Sequence, residues 1–187
     1  MYIENVGAPL VKKQLDAHNA IKEILLSAIE HNGRKIKDDD SLDQSPLYTN
    51  ITKTDYNFPL TTVPYKEHFF PHLDQFLKEC ALEFDWTFWK VHNVWFQQYV
   101  QGSSHGYHTH TECQFTGVYY LEFPEGSPCT DIIHPFDKLT VRQINVAEGD
   151  IIIFPSFMLH RAPLITNDLR KTIISFNMSF SVTPVTY

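Results

Sequence analysis

The sequence predicts a mainly β domain, a sandwich or barrel, that is braced by N-terminal helices. From Trp86 onward, short β-rich runs alternate with turn signals, which is typical of such folds. Before Trp86, apolar residues recur at helical spacing instead. The 187 residues suffice for one domain with a substantial core, so we expect a single domain over 1–187.

The N-terminal part, residues 1–85, is predicted to be helical support and a loop. A first helix is expected from Val11 to Ile29, where seven apolar residues have helical spacing: Val11, Leu15, Ile21, Ile24, Leu25, Ala28 and Ile29. Asn32-Gly33 is a stop signal. Residues 34–64 are polar and turn-rich, and the run Asp38-Asp39-Asp40 predicts a solvated loop. A second helix is expected from about Tyr65.

The core, residues 86–187, is predicted to hold the strands. The β-rich runs are Trp86–Val91, Val94–Val100, Phe115–Phe123, Leu139–Val146, Ile151–Phe154 and Thr172–Val182. Turn residues separate them at Gln101-Gly102, 124–128 and 147–150.

Composition excludes some functions. A net charge of −7 argues against binding to nucleic acid or to a membrane surface, since both favour basic patches. Three cysteines without zinc-site spacing, Cys80, Cys113 and Cys129, are expected to be reduced thiols in a cytoplasmic protein. No segment resembles a signal peptide, and no apolar run reaches membrane length.

Three histidines predict a metal site. His108 and His110 are two apart, so on a strand they would present their imidazoles on one face. His160 follows the apolar run Ile151–Phe154 and can supply a third ligand from the same sheet region. Three protein ligands with open positions are typical of a reactive metal site.

Arg170 adds a carboxylate-binding candidate ten residues after His160. Thr172 would share its strand face. A guanidinium with a neighbouring hydroxyl suits a carboxylate, which it can bind in a bidentate manner.

These residues resemble the site of iron(II)- and 2-oxoglutarate-dependent oxygenases. The segments His108-Thr-His110, Gly117–Leu121, Glu148–Pro155, His160 and Arg170–Asn177 look like a prolyl-hydroxylase-like, partly phage-borne branch of that family. The resemblance covers roughly residues 94–180 and implies a double-stranded β-helix, or jelly roll, of the cupin-like type. It further implies a dioxygenase that uses Fe(II), 2-oxoglutarate and O2, most simply a hydroxylase.

The resemblance also assigns roles. His108, His110 and His160 would bind iron, and Arg170, assisted by Thr172 and Tyr120, would bind the distal carboxylate of 2-oxoglutarate. The family usually has an acidic residue where His110 stands, so Glu112 could replace His108 as a ligand. We favour the all-histidine set.

Two other functions remain open at this stage. The spacing around Gly102, His108, His110 and His160 also fits part of the cupin pattern, which predicts a metalloenzyme that does not use 2-oxoglutarate. A non-catalytic jelly-roll binding module is the third option. The primary substrate, a peptide or a small molecule, is not readable. The N-terminal helices and residues 34–64 are expected to shape the substrate mouth or a homodimer interface.

Overall fold

The computed structural model describes residues 1–5, 8–31, 34–35, 51–56 and 64–183. Its strands are β1 (Tyr2–Asn5), β2 (Pro9–Gln14), β3 (Arg34–Lys35), β4 (Lys53–Thr54), β5 (Phe88–Tyr99), β6 (His105–His108), β7 (Phe115–Glu122), β8 (Asp131–Ile133), β9 (Val141–Gln143), β10 (Asp150–Pro155), β11 (His160–Ala162) and β12 (Lys171–Ser181). Its helices are α1 (His18–His31) and α2 (Tyr65–Glu83). The predicted stop at Asn32-Gly33 and the acidic run at 38–40 lie outside the described residues.

Two antiparallel sheets face each other. The large sheet has the order β1-β2-β10-β7-β12-β5-β4-β3, and the small sheet has the order β6-β11-β8-β9. An inner cluster of buried side chains joins them, with Tyr120, Phe154 and Ile173 from the large sheet and Ile132 and Ala162 from the small one. This arrangement agrees with the predicted double-stranded β-helix.

The helices cover the opposite face of the large sheet. Leu25, Phe69 and Leu73 of the helices pack against Ile174 and Phe176 of β12 in an outer cluster. The two faces of β12 therefore have different surroundings: even-numbered residues face the helices, and odd-numbered residues such as Ile173 face the small sheet.

The first predicted helix is wrong in its N-terminal part. Residues Pro9–Gln14 form β2, which pairs antiparallel with β10, and α1 begins only at His18. Val11 is buried as predicted, but on a sheet. Pairing with the edge of β10 satisfies this backbone, and such tertiary contacts override a weak local preference for helix.

A glycine turn fastens α1 to the sheet. Gly149 has a φ of +86°, and a Cβ there would meet the side chains of Gln14 and His18. Next to it, Glu148 accepts a hydrogen bond from Lys22 at 2.6 Å, and its other oxygen accepts one from the backbone N–H of Phe123. This anchoring holds α1 against the face of the sheet that lies away from the cavity described below.

All three cysteines are unpaired thiols, with Cys80 buried and Cys113 and Cys129 half-buried. No helix within the described ranges is long and apolar enough to cross a membrane.

Candidate metal and cosubstrate site

The structure brings the three predicted histidines together. The ligand nitrogens of His108, His110 and His160 all lie within 4.8 Å of one another. His108 ends β6 and is the register partner of His160, which begins β11. His110 lies just beyond β6 rather than on it, and its backbone N–H donates to the carbonyl of Ser156 at 3.0 Å. A turn anchored to the end of β10, not a shared strand face, therefore positions His110.

Backbone carbonyls orient two of the rings. The Nδ1 of His108 lies 2.8 Å from the Gly106 carbonyl, and the Nδ1 of His160 lies 2.8 Å from the Met158 carbonyl. A carbonyl can only accept, so each Nδ1 carries the proton. The Nε2 of each neutral imidazole is then left with a free lone pair for a metal.

Burial keeps the histidines neutral. It lowers the pKa of His110 to about 4, with the neighbouring His108 adding to the effect. It lowers the pKa of His108 as well, and it places the pKa of His160 well below the ordinary value. Three neutral imidazoles converging on one point are a donor set that suits iron, zinc, copper or nickel, so these residues fit the implied metal.

A cavity of about 320 Å³ opens beside the histidines. It is lined by Tyr56, Asn93, Trp95, Gln97, His105, His108, Thr109, His110, Thr111, Glu112 and Asn177. Glu112 lines this cavity with a φ of +62°, but it is not part of the three-histidine cluster. The geometry thus favours the all-histidine ligand set over the one that includes Glu112.

His105 is a fourth histidine at the site. Its ring stacks on that of His108 with centroids 4.0 Å apart, and its Nδ1 lies 3.3 Å from the side-chain nitrogen of Gln97. Burial lowers the pKa of His105 to about 3, chiefly by desolvation. From the sequence, a role for His105 beside the metal ligands is possible but not favoured, since residues three apart on a strand point to opposite faces.

Arg170 lies away from the histidines, on the side of the large sheet that carries the helices. Its guanidinium makes two hydrogen bonds of 2.9 Å to the carboxylate of Glu122 and also pairs with Glu30. Thr172 donates to the same Glu122 carboxylate at 2.7 Å. The structure therefore does not bring Arg170 and Thr172 into the cavity, and both side chains already have a carboxylate partner.

Lys171 is the cation on the inner face. Its side chain is 1% exposed, and its ammonium lies 4.9 Å from the ring centroid of Tyr99 and donates to the Pro128 carbonyl at 3.1 Å. Desolvation lowers the pKa of Lys171 to about 8. No carboxylate pairs with this ammonium among the hydrogen bonds and ion pairs of the described residues.

Two tyrosine hydroxyls lie on the same inner face as this lysine. The Tyr99 hydroxyl is buried without a hydrogen-bond partner in the part of the chain that the structure describes. Tyr120, the third predicted carboxylate contact, is on the inner face and hydrogen-bonds Thr130 at 2.7 Å. A buried cation with no carboxylate hydrogen bond among the described residues, next to an unsatisfied hydroxyl, is a suitable contact for an anionic group.

Residues 93–177 match the family model described as "Putative 2OG-Fe(II) oxygenase". The matched segment contains all three histidines as well as Lys171. The predicted resemblance to iron(II)- and 2-oxoglutarate-dependent oxygenases is confirmed. That family consists of enzymes that use Fe(II), 2-oxoglutarate and O2, which agrees with the enzyme class and the cofactors predicted from the sequence.

Solved structures confirm the fold. A viral collagen prolyl hydroxylase from Paramecium Bursaria Chlorella virus-1, in complex with 2OG, superposes with a TM-score of 0.61 over 92% of this chain and 96% of its own, at 14% identity. A Pseudomonas putida prolyl-4-hydroxylase gives a TM-score of 0.61 over 90% and 91%, at 10% identity. HygX from Streptomyces hygroscopicus, with nickel, 2-oxoglutarate and hygromycin B bound, gives 0.63 over 92% and 83%, at 11% identity. No curated protein sequence matches this chain.

Proposed function

We propose that this protein is an Fe(II)- and 2-oxoglutarate-dependent hydroxylase whose metal is held by His108, His110 and His160. The observation that carries the proposal is the convergence of three neutral imidazoles, one buried and two half-buried, beside a cavity and within a segment that matches the oxygenase family. Three ligands leave open positions for the cosubstrate and O2. Iron(II), when bound, supplies the O2 activation that couples oxidation of 2-oxoglutarate to oxidation of the substrate.

Lys171, rather than Arg170, is the residue that we propose for the distal carboxylate of 2-oxoglutarate. The ammonium of Lys171 is on the inner face and unpaired by any carboxylate, whereas the guanidinium of Arg170 is engaged by Glu122 and Glu30. Tyr99 contacts Lys171 and can donate a hydroxyl hydrogen bond to the same carboxylate. Tyr120 lies in the same inner cluster as Tyr99 and is a second hydroxyl that we propose for this contact. Thr172, bound to Glu122, then has a structural role.

The protein's own part in the reaction is to orient and to shelter. The carbonyls of Gly106 and Met158 hold two imidazoles with Nε2 free, and the Phe154 ring packs edge-to-face with that of His160, with centroids 4.9 Å apart. With His160 itself only 5% exposed, bulk water has little access to this side of the metal site. In this proposal, Lys171 holds the distal carboxylate of 2-oxoglutarate, and the metal on the three histidines holds its other end.

The substrate class is part of the proposal. The prolyl hydroxylases among the similar structures include one from Trichoplax adhaerens that was solved with a hypoxia inducible factor peptide fragment. We therefore propose a peptide, and first a proline-containing one, as the primary substrate. We further propose that the protein acts in the cytoplasm, where its three free thiols would stay reduced.

Succinate formation tests the function. Wild type with Fe(II), ascorbate, O2 and 2-oxoglutarate is expected to form succinate slowly, and faster with an accepted substrate, while His160→Ala forms none above a metal-free control. Arg142→Ala, on the exposed edge strand β9, is the matched control. Equal succinate from wild type and His160→Ala would contradict the proposal and leave a non-catalytic binding module as the better reading.

A further inference from the structure

Two asparagines on neighbouring strands line the cavity side by side. Asn93 of β5 and Asn177 of β12 are register partners, so their side chains emerge side by side from the inner face. Six residues separate Asn177 from Lys171 along the same strand, which corresponds to about 20 Å in an extended chain. The asparagine pair is therefore at the opposite end of the face from the proposed carboxylate site.

Both side-chain oxygens are left without a partner. The Oδ1 atoms of Asn93 and Asn177 are buried and accept no hydrogen bond from any residue within the described ranges, and Asn177 is only 8% exposed. An unsatisfied buried acceptor costs free energy, because it has lost its hydrogen bonds to water without gaining others. Two adjacent acceptors that line a cavity are explained if a ligand supplies the missing donors.

An aromatic wall completes this end of the cavity. Trp95 lies two residues from Asn93 on the same face, and its ring meets Tyr56 edge-to-face with centroids 5.3 Å apart. Tyr56 is held in place by its neighbour Asp55, which accepts the backbone N–H of Phe96 at 2.7 Å and pairs with the buried ammonium of Lys66. The wall is thus a fixed apolar surface rather than a mobile side chain.

The charge of the lining side chains disfavours a second anion beside 2-oxoglutarate. Among the described residues that line the cavity there is no lysine or arginine, and Glu112 contributes a carboxylate. Because the charge of the metal is already shared with 2-oxoglutarate, a negative group on the primary substrate would find no further counter-charge there and would face Glu112. The cavity volume of about 320 Å³ is also small, so it admits a single amino-acid-sized group beside the cosubstrate.

We propose that Asn93, Asn177 and Trp95 form the primary-substrate subsite, which takes a small uncharged group that presents N–H or O–H donors to the two carboxamide oxygens and an apolar face to the indole. This inference rests on the proposed function in one respect, namely that the ligand of the subsite is the hydroxylase's substrate. None of the three residues is a proposed metal ligand, so the subsite is testable in the absence of metal.

The test uses three matched probes and the full-length chain. N-acetyl-L-prolinamide has a ring, no charge and an N–H donor; its N,N-dimethylamide has no donor; N-acetyl-L-proline has a carboxylate. Binding is followed by the NMR signals of the Asn93 and Asn177 side-chain amides and the Trp95 indole N–H. Each titration is run with Zn(II) and 2-oxoglutarate present and again after chelation of the metal.

We expect N-acetyl-L-prolinamide to bind about 5- to 10-fold more tightly than its dimethylamide, because one hydrogen bond changes a dissociation constant by about that factor. N-acetyl-L-proline, which carries a carboxylate, should bind most weakly. Asn93→Ala and Asn177→Ala should each lose a similar factor for the amide. Asn145→Ala, an exposed asparagine on the backbone stretch after β9, is the control that should behave as wild type.

Other outcomes overturn the subsite. Equal binding of the three probes, preference for the carboxylate, or no shift of the three signals would each do so, and these comparisons need only the wild-type protein. Asparagine variants that bind the amide as wild type does would also do so. A protein that fails to bind Zn(II) or 2-oxoglutarate but still selects the amide would refute the proposed function and leave the subsite standing.

Discussion

The two faces of β12 differ in what their charged residues do. On the outer face, the side chain of Arg170 is exposed by 41% and bound to two carboxylates. On the inner face, the neighbouring Lys171 is almost fully buried, and within the described ranges its hydrogen-bond acceptor is a carbonyl. The outer cation is satisfied by carboxylates of the protein, whereas the inner cation is the one that we propose for 2-oxoglutarate. Adjacent basic residues thus have different roles because a strand alternates its side chains.

The largest expected effect of this difference is on 2-oxoglutarate affinity. Lys171→Met removes the buried counter-charge and should weaken binding by roughly several hundred-fold, which corresponds to about 3–5 kcal/mol. The matched variant Arg170→Met should change the dissociation constant by less than about twofold, since surface ion pairs contribute little. Calorimetric titration of the Zn(II)-loaded protein measures both. A large loss in Arg170→Met with Lys171→Met unaffected would reverse our assignment.

A smaller effect is expected from pH. Desolvation lowers the pKa of Lys171 to about 8, so above that pH the free protein loses the charged ammonium that binds the carboxylate. The affinity for 2-oxoglutarate should be constant from pH 7 to 8 and then fall about tenfold per pH unit. The dissociation constant measured from pH 7 to 10 checks this. Lys171→Arg, whose charge persists, should show no such fall; a flat wild-type profile would place the lysine outside the site.

The smallest expected effect is on stability, and its sign differs between the two faces. Arg170→Met should lower the free energy of unfolding by about 0.5–1 kcal/mol, because it removes a largely solvent-exposed ion pair. Lys171→Met should raise it at pH 7, because burial disfavours the charged ammonium in the folded state.

The effect of Lys171→Met on the free energy of unfolding should depend on pH, because the pKa of Lys171 differs between the folded and unfolded chain. The folded-state pKa of Lys171 is below its unfolded value of 10.5, so the unfolded chain binds more protons between about pH 8 and 10.5. Wild-type stability should therefore rise over that range, and the advantage of Lys171→Met should shrink. Urea unfolding at pH 7 and pH 10 tests this; an advantage that grew with pH would show that the lysine is not buried as a charge.

The sequence predicts the strand-rich half well, because turn residues and β-rich runs recur there at short intervals. Val94–Val100 was predicted as a separate strand from Trp86–Val91, yet β5 runs unbroken from Phe88 to Tyr99. The short strands β8 and β11 escaped prediction, since three residues carry too little periodicity, and β6 was expected only through the strand assumed for His108 and His110. The N-terminal strand β2 was mistaken for helix because its partner β10 is remote in sequence.

The convergence of the three histidines was predictable from the sequence, but the positions of Arg170 and Lys171 were not. The spacing His108-x-His110 and the apolar run before His160 indicate convergence. The spacing of ten residues between His160 and Arg170 does not determine on which face of the sheet the Arg170 side chain lies. One signal was present in the alternation along β12. The apolar residues Ile174, Phe176 and Met178 face the helices, and the residues between them, Lys171, Ile173, Ser175 and Asn177, form the less apolar set on the other face. Asn93 and Trp95 carried no signal, because only pairing of β5 with β12 brings them to the cavity.

The most direct test of the account is anaerobic addition of Fe(II) and then 2-oxoglutarate, followed by visible spectroscopy. Wild type should develop a weak charge-transfer band, since the metal and the 2-oxo acid would meet inside the cavity. Glu112→Ala should keep the band, and His108→Ala and His160→Ala should lose it together with bound iron. The account would be contradicted if no band formed with wild type, or if Glu112→Ala lost it while His108→Ala kept it.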